Sequence, residues 1–302
     1  MDADSAPART RQGWWWKALL AGLALWLATI VVTSTTRSPN LVPTLILLGS
    51  LLVPFCVVLF AAERISGNLT SLDAFMAFFL GGAFGVLGVA LLESKLEVSP
   101  WLYLRVALVE EFVKALILLV LGRSVAPKTA PQGALLGACI GAGFAGFESA
   151  GYAFSAAVTA NGLDLGSLIQ SEATRSILTP VCHVLWTALL GAIIFGAAGP
   201  ASTGAARGAA DGAAGRAPRY RLTAGVLAVF LGVVALHALW DSMQGLADAF
   251  AAVVMGAVGS GAPDASQVLA PSPALYVAGL VLVAAAGVGA LALVLRHHKP
   301  RA

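Results

Sequence analysis

The 302-residue chain is predicted to be an all-α, polytopic integral membrane protein, with about eight transmembrane helices and both termini inside. Three observations predict this. First, 59% of the residues are hydrophobic and only 11% are charged, whereas soluble domains carry about 25% charged residues. Second, apolar segments recur near 14–35, 41–61, 73–92, 101–121, 132–159, 174–198, 220–245 and 273–295, and about 20 apolar residues cross a bilayer core. Third, the cations segregate. With the N-terminus inside, the cytoplasmic side collects Arg9, Arg11, Lys17, Arg64, Arg123, Lys128, Arg207, Arg216, Arg219, Arg221, Arg296, Lys299 and Arg301. The opposite side collects only Arg37 and Lys95, as the positive-inside rule requires.

These spans use up nearly all of the chain, so residues 1–302 are read as a single membrane domain, multi-pass in the cell (plasma) membrane. The first span, opened by Trp14, Trp15 and Trp16 as an interfacial anchor, is longer than a signal-peptide core. The third contains GGAFGVLG (81–88), whose small residues suggest a loose lateral gate. The fifth and seventh are long enough to tilt or to add an interfacial turn. Residues 199–219, rich in Ala and Gly with scattered Arg, form a flexible cytoplasmic linker, and 256–274 a looser external loop. The net charge of +3 is spread over loops and tails, which gives no case for nucleic-acid binding. Cys56, Cys139 and Cys182 lie inside apolar spans without CxxC spacing. They read as small core residues.

Against this background the charged residues inside spans stand out. A charge at the bilayer centre costs about 2.5–3.5 kcal/mol even on the lenient insertion scale, so such groups mark functional sites. Glu110, Glu111 and Lys114 lie in the middle of the fourth span. At 1.5 Å per residue, Glu110 and His183 fall about 14 Å below the outer edge, Glu148 about 16 Å, His237 about 12 Å and Asp241 about 6 Å. Four helices thus bring carboxylates or imidazoles to one layer. Within each helix the spacing is i, i+4 for Glu110–Lys114, Phe144–Glu148, His183–Thr187 and His237–Asp241, so each pair shares a face. Arg105 and Arg175 fall near the outer interface, where they can snorkel or instead bind substrate backbone or a carboxylate, and Glu93 marks a span end.

Such a layer supports more than one chemistry. Glu110 or Glu111 can take a proton from water, with Lys114 holding the pair in register. Glu148, His183 and His237 can instead bind zinc, leaving one position for water. No HExxH is present, so any metal site is assembled across helices. The same Glu/His/Asp set can also serve a proton-coupled transporter as a relay, although paired broken helices are not seen. In a third reading the polar layer only fixes helix pairing.

The ordered motifs VEEFVKA (Glu110, Glu111, Lys114), FAGFE (Phe144, Glu148), His183 following Arg175, and HALWD (His237, Asp241) resemble those of the PrsW family of intramembrane proteases. That family is placed in the Abi/CAAX prenyl protease superfamily. The likeness covers about residues 101–245, spans four to seven, which would be the catalytic core. It implies an intramembrane endopeptidase acting on a membrane-tethered protein such as an anti-sigma-factor-like regulator. It also implies that Glu110 and Glu111 are catalytic and that Glu148, His183, His237 and Asp241 complete the site. CAAX relatives tend to have His where this chain has Glu148. A glutamate-activated water and a zinc-bound water both fit the resemblance.

Overall fold

Gly133, Gly137 and Gly141 repeat every four residues, and the helix that carries them is the hub of the fold. In the computed structural model, which describes residues 13–160, 162–198, 219–258 and 272–298, this helix is α5 (Ala130–Ala157). It packs against α7 (His183–Gly196), α3 (Ser71–Glu93), α2 (Val42–Ala62) and α6 (Leu165–Leu178). A Cβ on Gly137 would lie 2.1 Å from the Thr187 carbonyl oxygen, and one on Gly141 2.4 Å from that of His183. Only glycine lets the two backbones approach so closely, the small-residue mode of packing between apolar helices. Every residue of α7 from His183 to Phe195 is buried.

The remaining helices wrap this pair. They are α1 (Trp14–Thr36), α4 (Leu102–Leu121), α8 (Ala224–Val258) and α9 (Ser272–His297). Much of α1 and α9 faces outward with exposed Leu and Val, as lipid-facing helices do. Among the described residues, seven helical segments are long and apolar enough to cross a membrane. α4, with 20 residues, is shorter than these but still of bilayer length, and it carries Arg105, Glu110, Glu111 and Lys114. The protein is thus a helical, multi-pass membrane protein.

Helix ends are closed by local chemistry. Glu63, just past α2, accepts from the Gly13 and Trp14 N–H groups (3.0 and 2.7 Å) and so caps α1. These bonds hold its carboxyl below the usual carboxylate range. Thr70 and Asp73 form a capping box at the start of α3. Lys128 Nζ donates to the Gly122, Arg123 and Val125 carbonyls beyond the end of α4 (2.8, 3.0 and 2.9 Å).

Four expectations need correction. The sixth span is not one run over 174–198. It breaks at Thr179–Val181, a single 3-10 turn, into α6 and α7. Pro180 is the physical reason, because it lacks an N–H and crowds the preceding turn. Residues 165–173, expected outside the span, are helical and are started by Asp164, which accepts from Ser167 N (3.0 Å). The seventh span runs on to Val258. The GGAFGVLG glycines are not a loose gate: Gly81 and Gly82 press against Ile140 and Phe147 of α5. The three cysteines are free and buried. Residues 199–218 of the expected linker and 259–271 of the external loop lie outside the described residues.

Candidate active site

α4, α5, α7 and α8 converge on one polar cluster. From α4 come Glu110 (4% exposed), Glu111 (0%) and Lys114 (0%). Lys114 Nζ lies 2.9 Å from Glu110 Oε2, 2.9 Å from Glu111 Oε1 and 3.0 Å from His183 Nδ1. An ammonium has three donors and no acceptor. All three are used, and the ring of Phe144 lies beside the ammonium, 4.1 Å from Nζ to its centroid.

This geometry assigns the histidine tautomers. His183 Nδ1 must accept from Lys114, so its proton sits on Nε2, which faces Glu148 Oε2 at 3.1 Å. His237 Nδ1 lies 2.9 Å from Glu111 Oε1. With Glu111 ionised, Nδ1 donates to it, and Nε2 lies toward Asp241 Oδ2 (3.4 Å) and Glu110 Oε2 (3.8 Å). Trp186 stacks near His237 (centroids 4.8 Å apart) and meets His183 edge-on. The two imidazoles are themselves 5.2 Å apart.

A cavity of about 670 Å³ opens onto this cluster. Glu110, Glu148, His183, His237 and Asp241 line it, together with Glu93, Tyr103, Tyr152, Arg175, Trp240, Gln244 and Tyr276. Glu111 and Lys114 do not line it. The adjacent glutamates therefore differ: Glu110 meets the cavity, whereas Glu111 stands behind it and braces His237.

Sequence reasoning missed Glu93 and Trp186 and left Arg175 between two roles. Arg175 does not snorkel but holds a carboxylate. It donates through Nη2 to Glu148 Oε2 and through Nε to Ser149 Oγ (2.8 Å), with its guanidinium 4.3 Å from the centre of the Tyr152 ring. Glu93 is a wall residue, not merely a span end. Trp186 lies three residues after His183, a spacing that puts it on the same helix face, and this spacing was the signal that could have found it.

Glu110, Glu111, His183 and His237 each offer a ligand atom, all within 4.8 Å of one another. Two imidazoles and two carboxylates are a donor set suited to a divalent cation. Glu111 Oε2 is buried with no partner among the described residues, as expected of an oxygen reserved for a ligand. The residues present therefore fit a metal. Lys114 occupies three of the same groups, so a cation bound there would displace part of its hydrogen bonding. Glu148 stands outside this set, its Oε2 held between His183 and Arg175.

Membrane-length helices enclosing buried carboxylates and imidazoles beside an open cavity define a membrane-embedded enzyme. The family model described as PrsW family intramembrane metalloprotease matches residues 14–262, and the chain belongs to that family. No curated protein and no solved structure matches the chain significantly. The protein is an intramembrane protease that acts on protein substrates in the bilayer, and its Glu/His group is able to hold a metal. The transporter reading finds no support.

Proposed function

We propose that the protein is an endopeptidase that hydrolyses a peptide bond in or near the membrane segment of a tethered protein, with Glu110 as the base that activates water. One observation carries this reading: of the two adjacent glutamates, Glu110 alone lines the cavity, beside both imidazoles. Lys114 engages Oε2 of Glu110, which leaves Oε1 for a water. Lys114 neutralises the paired carboxylates and keeps them in register.

His237 passes to the departing amine the proton that Glu110 takes from water: Nε2, 3.8 Å from Glu110 Oε2, takes it up and then gives it to the amine, while Glu111 behind Nδ1 stabilises the imidazolium between the two transfers, as a buried carboxylate does behind a catalytic histidine. Asp241 orients the same ring from the next turn. Glu148 fixes His183 through Nε2.

Glu110, Glu111, His183 and His237 would hold the metal, with Glu148 at its edge, and zinc suits these ligand types. Such an ion, when bound, polarises the scissile carbonyl and makes water more acidic. By family likeness the substrate is a membrane-tethered regulator of the anti-sigma-factor kind, the membrane is the plasma membrane, and the family sits within the Abi/CAAX superfamily. Residues 1–302 form one membrane domain with both termini inside, and 101–245 form its catalytic core.

The test is cleavage of a tethered substrate by purified protein in liposomes, with metal analysis and with chelator added. Activity that is lost on chelation and restored by zinc supports the metal-assisted form. Activity untouched by chelator in metal-free protein assigns hydrolysis to the glutamates and histidines alone. Wild-type rates in Glu110→Gln would remove Glu110 from the mechanism.

A further inference from the structure

Arg175, which precedes His183 in the third of the motifs, is given no role by the reading above, yet its side chain is fastened to three positions on one surface of α5. Nη2 bonds Glu148, Nε bonds Ser149 Oγ, and the guanidinium lies against the Tyr152 ring. The Glu148 oxygen that it holds is the one facing His183 Nε2 at 3.1 Å. The main chain completes the circuit, since Arg175 lies on α6, eight residues before His183, across the Thr179–Val181 break. At this break a single 3-10 turn replaces the α-helix, and Cys182, with φ −120° and ψ −99°, leads directly into His183. The α-helical ladder therefore does not run unbroken from α6 into α7, and the side-chain bridge ties α6 to the part of α5 that faces His183.

We propose that Arg175 is a positioning residue that clamps Glu148 against His183 and so, with Lys114 on Nδ1, fixes the orientation and tautomer of that imidazole. This rests on the proteolytic reading of the site but adds a residue to it. The guanidinium suits the task because its planar fork reaches two acceptors at once, which an ammonium on a lysine stem does not do with the same geometry. Its charge also neutralises Glu148, which would otherwise face Glu110, Glu93 and Asp241 across the same cavity. Both Arg175 and Glu148 keep some exposure to the cavity, with side chains 22% and 19% accessible. A rival role in binding substrate must therefore be separated by experiment.

The experiment uses the full-length protein in liposomes, with Arg175→Gln, Arg175→Lys and Glu148→Gln. Loss of an outer partner typically costs about 10- to 100-fold in activity, so R175Q is expected to lower kcat by about that factor with KM within about twofold. R175K is expected to fall between R175Q and wild type. A second readout is independent of cleavage. In histidine-labelled protein, the ¹⁵N signal of His183 should move in R175Q toward its position in E148Q, and part of the way in R175K. Wild-type kcat in R175Q, a change confined to KM, or an unmoved His183 signal would each overturn the proposal. Should R175Q fail to fold, R175K decides: a partly displaced His183 signal supports the clamp, and a wild-type signal refutes it. If the wild type cleaves no membrane substrate, the proteolytic reading falls, while the ¹⁵N comparison still judges Arg175.

Discussion

Replacing Lys114 with methionine removes the ammonium that holds Glu110, Glu111 and His183 together while keeping most of the side-chain volume. The three hydrogen bonds that go with it span 2.9, 2.9 and 3.0 Å, and the carboxylates left behind are 4% and 0% exposed. Breaking one partner out of a buried ion pair costs about 3–5 kcal/mol, because the remaining charge stays desolvated and unpaired. Two carboxylates are stranded here, so the upper end applies, a large share of the roughly 5–15 kcal/mol that holds a folded protein together. At about 2–4 °C per kcal/mol, the scale for chains of 150–250 residues, the midpoint of thermal unfolding should drop by about 10 °C or more. Tryptophan fluorescence during heating in detergent follows it. The triple variant K114M/E110Q/E111Q removes the stranded charges with the ammonium and should recover most of the loss while remaining inactive. The reasoning is wrong if K114M unfolds within a degree or two of wild type, or if the triple variant is no more stable than K114M.

Three further outcomes follow from the same structure. E110Q should reduce kcat by about 100-fold or more, the range for removing a general base, whereas E111Q, which weakens the brace behind His237, should cost about 10- to 100-fold and also lower the unfolding midpoint; equal stability of the two variants would contradict their different placement. G137A puts a methyl 2.1 Å from the Thr187 carbonyl oxygen and should destabilise by about 1–3 kcal/mol through overpacking, measured by denaturant unfolding, with activity lost as α7 shifts off α5. Asp164, which caps α6, accepts from Ser167 N–H (3.0 Å) and Ser167 Oγ–H (2.7 Å), and these bonds hold its carboxyl below the ordinary range. A depressed carboxyl stabilises the fold above its unfolded value and loses that contribution as pH falls through the folded one. The protection of the Ser167 amide, its exchange rate taken relative to the intrinsic rate at each pH, should therefore fall on acidification, and protection in D164A that matches wild type at neutral pH would deny Asp164 this role.

Much of the architecture was legible because the bilayer forces it. A span must be long and apolar whatever its neighbours are, so α1, α2, α3, α4, α5 and α9 lie within about two residues of the segments read from hydropathy. Charged and imidazole groups inside such spans had to share a depth if they were to satisfy one another, and Glu110, Glu148, His183 and His237 do meet. The break before His183 was less visible. Pro180 was present, but a proline within an apolar run is tolerated in a membrane helix when neighbours satisfy the freed groups. The polar Ser167, Gln170, Ser171 and Glu172 hid the helix that precedes it.

What the sequence determined by itself is which residues lie in the membrane and at roughly what depth, because hydrophobicity and the 1.5 Å rise per residue are local properties. What the tertiary structure decided is which way each one points. Neighbouring residues on a helix diverge by about 100°, so whether Glu110 or Glu111 meets the cavity depends on the rotation of α4, and packing against α3 and α8 sets that rotation. The partner of Arg175 was likewise settled by the approach of α6 to α5, a contact between residues 27 positions apart that no local pattern encodes.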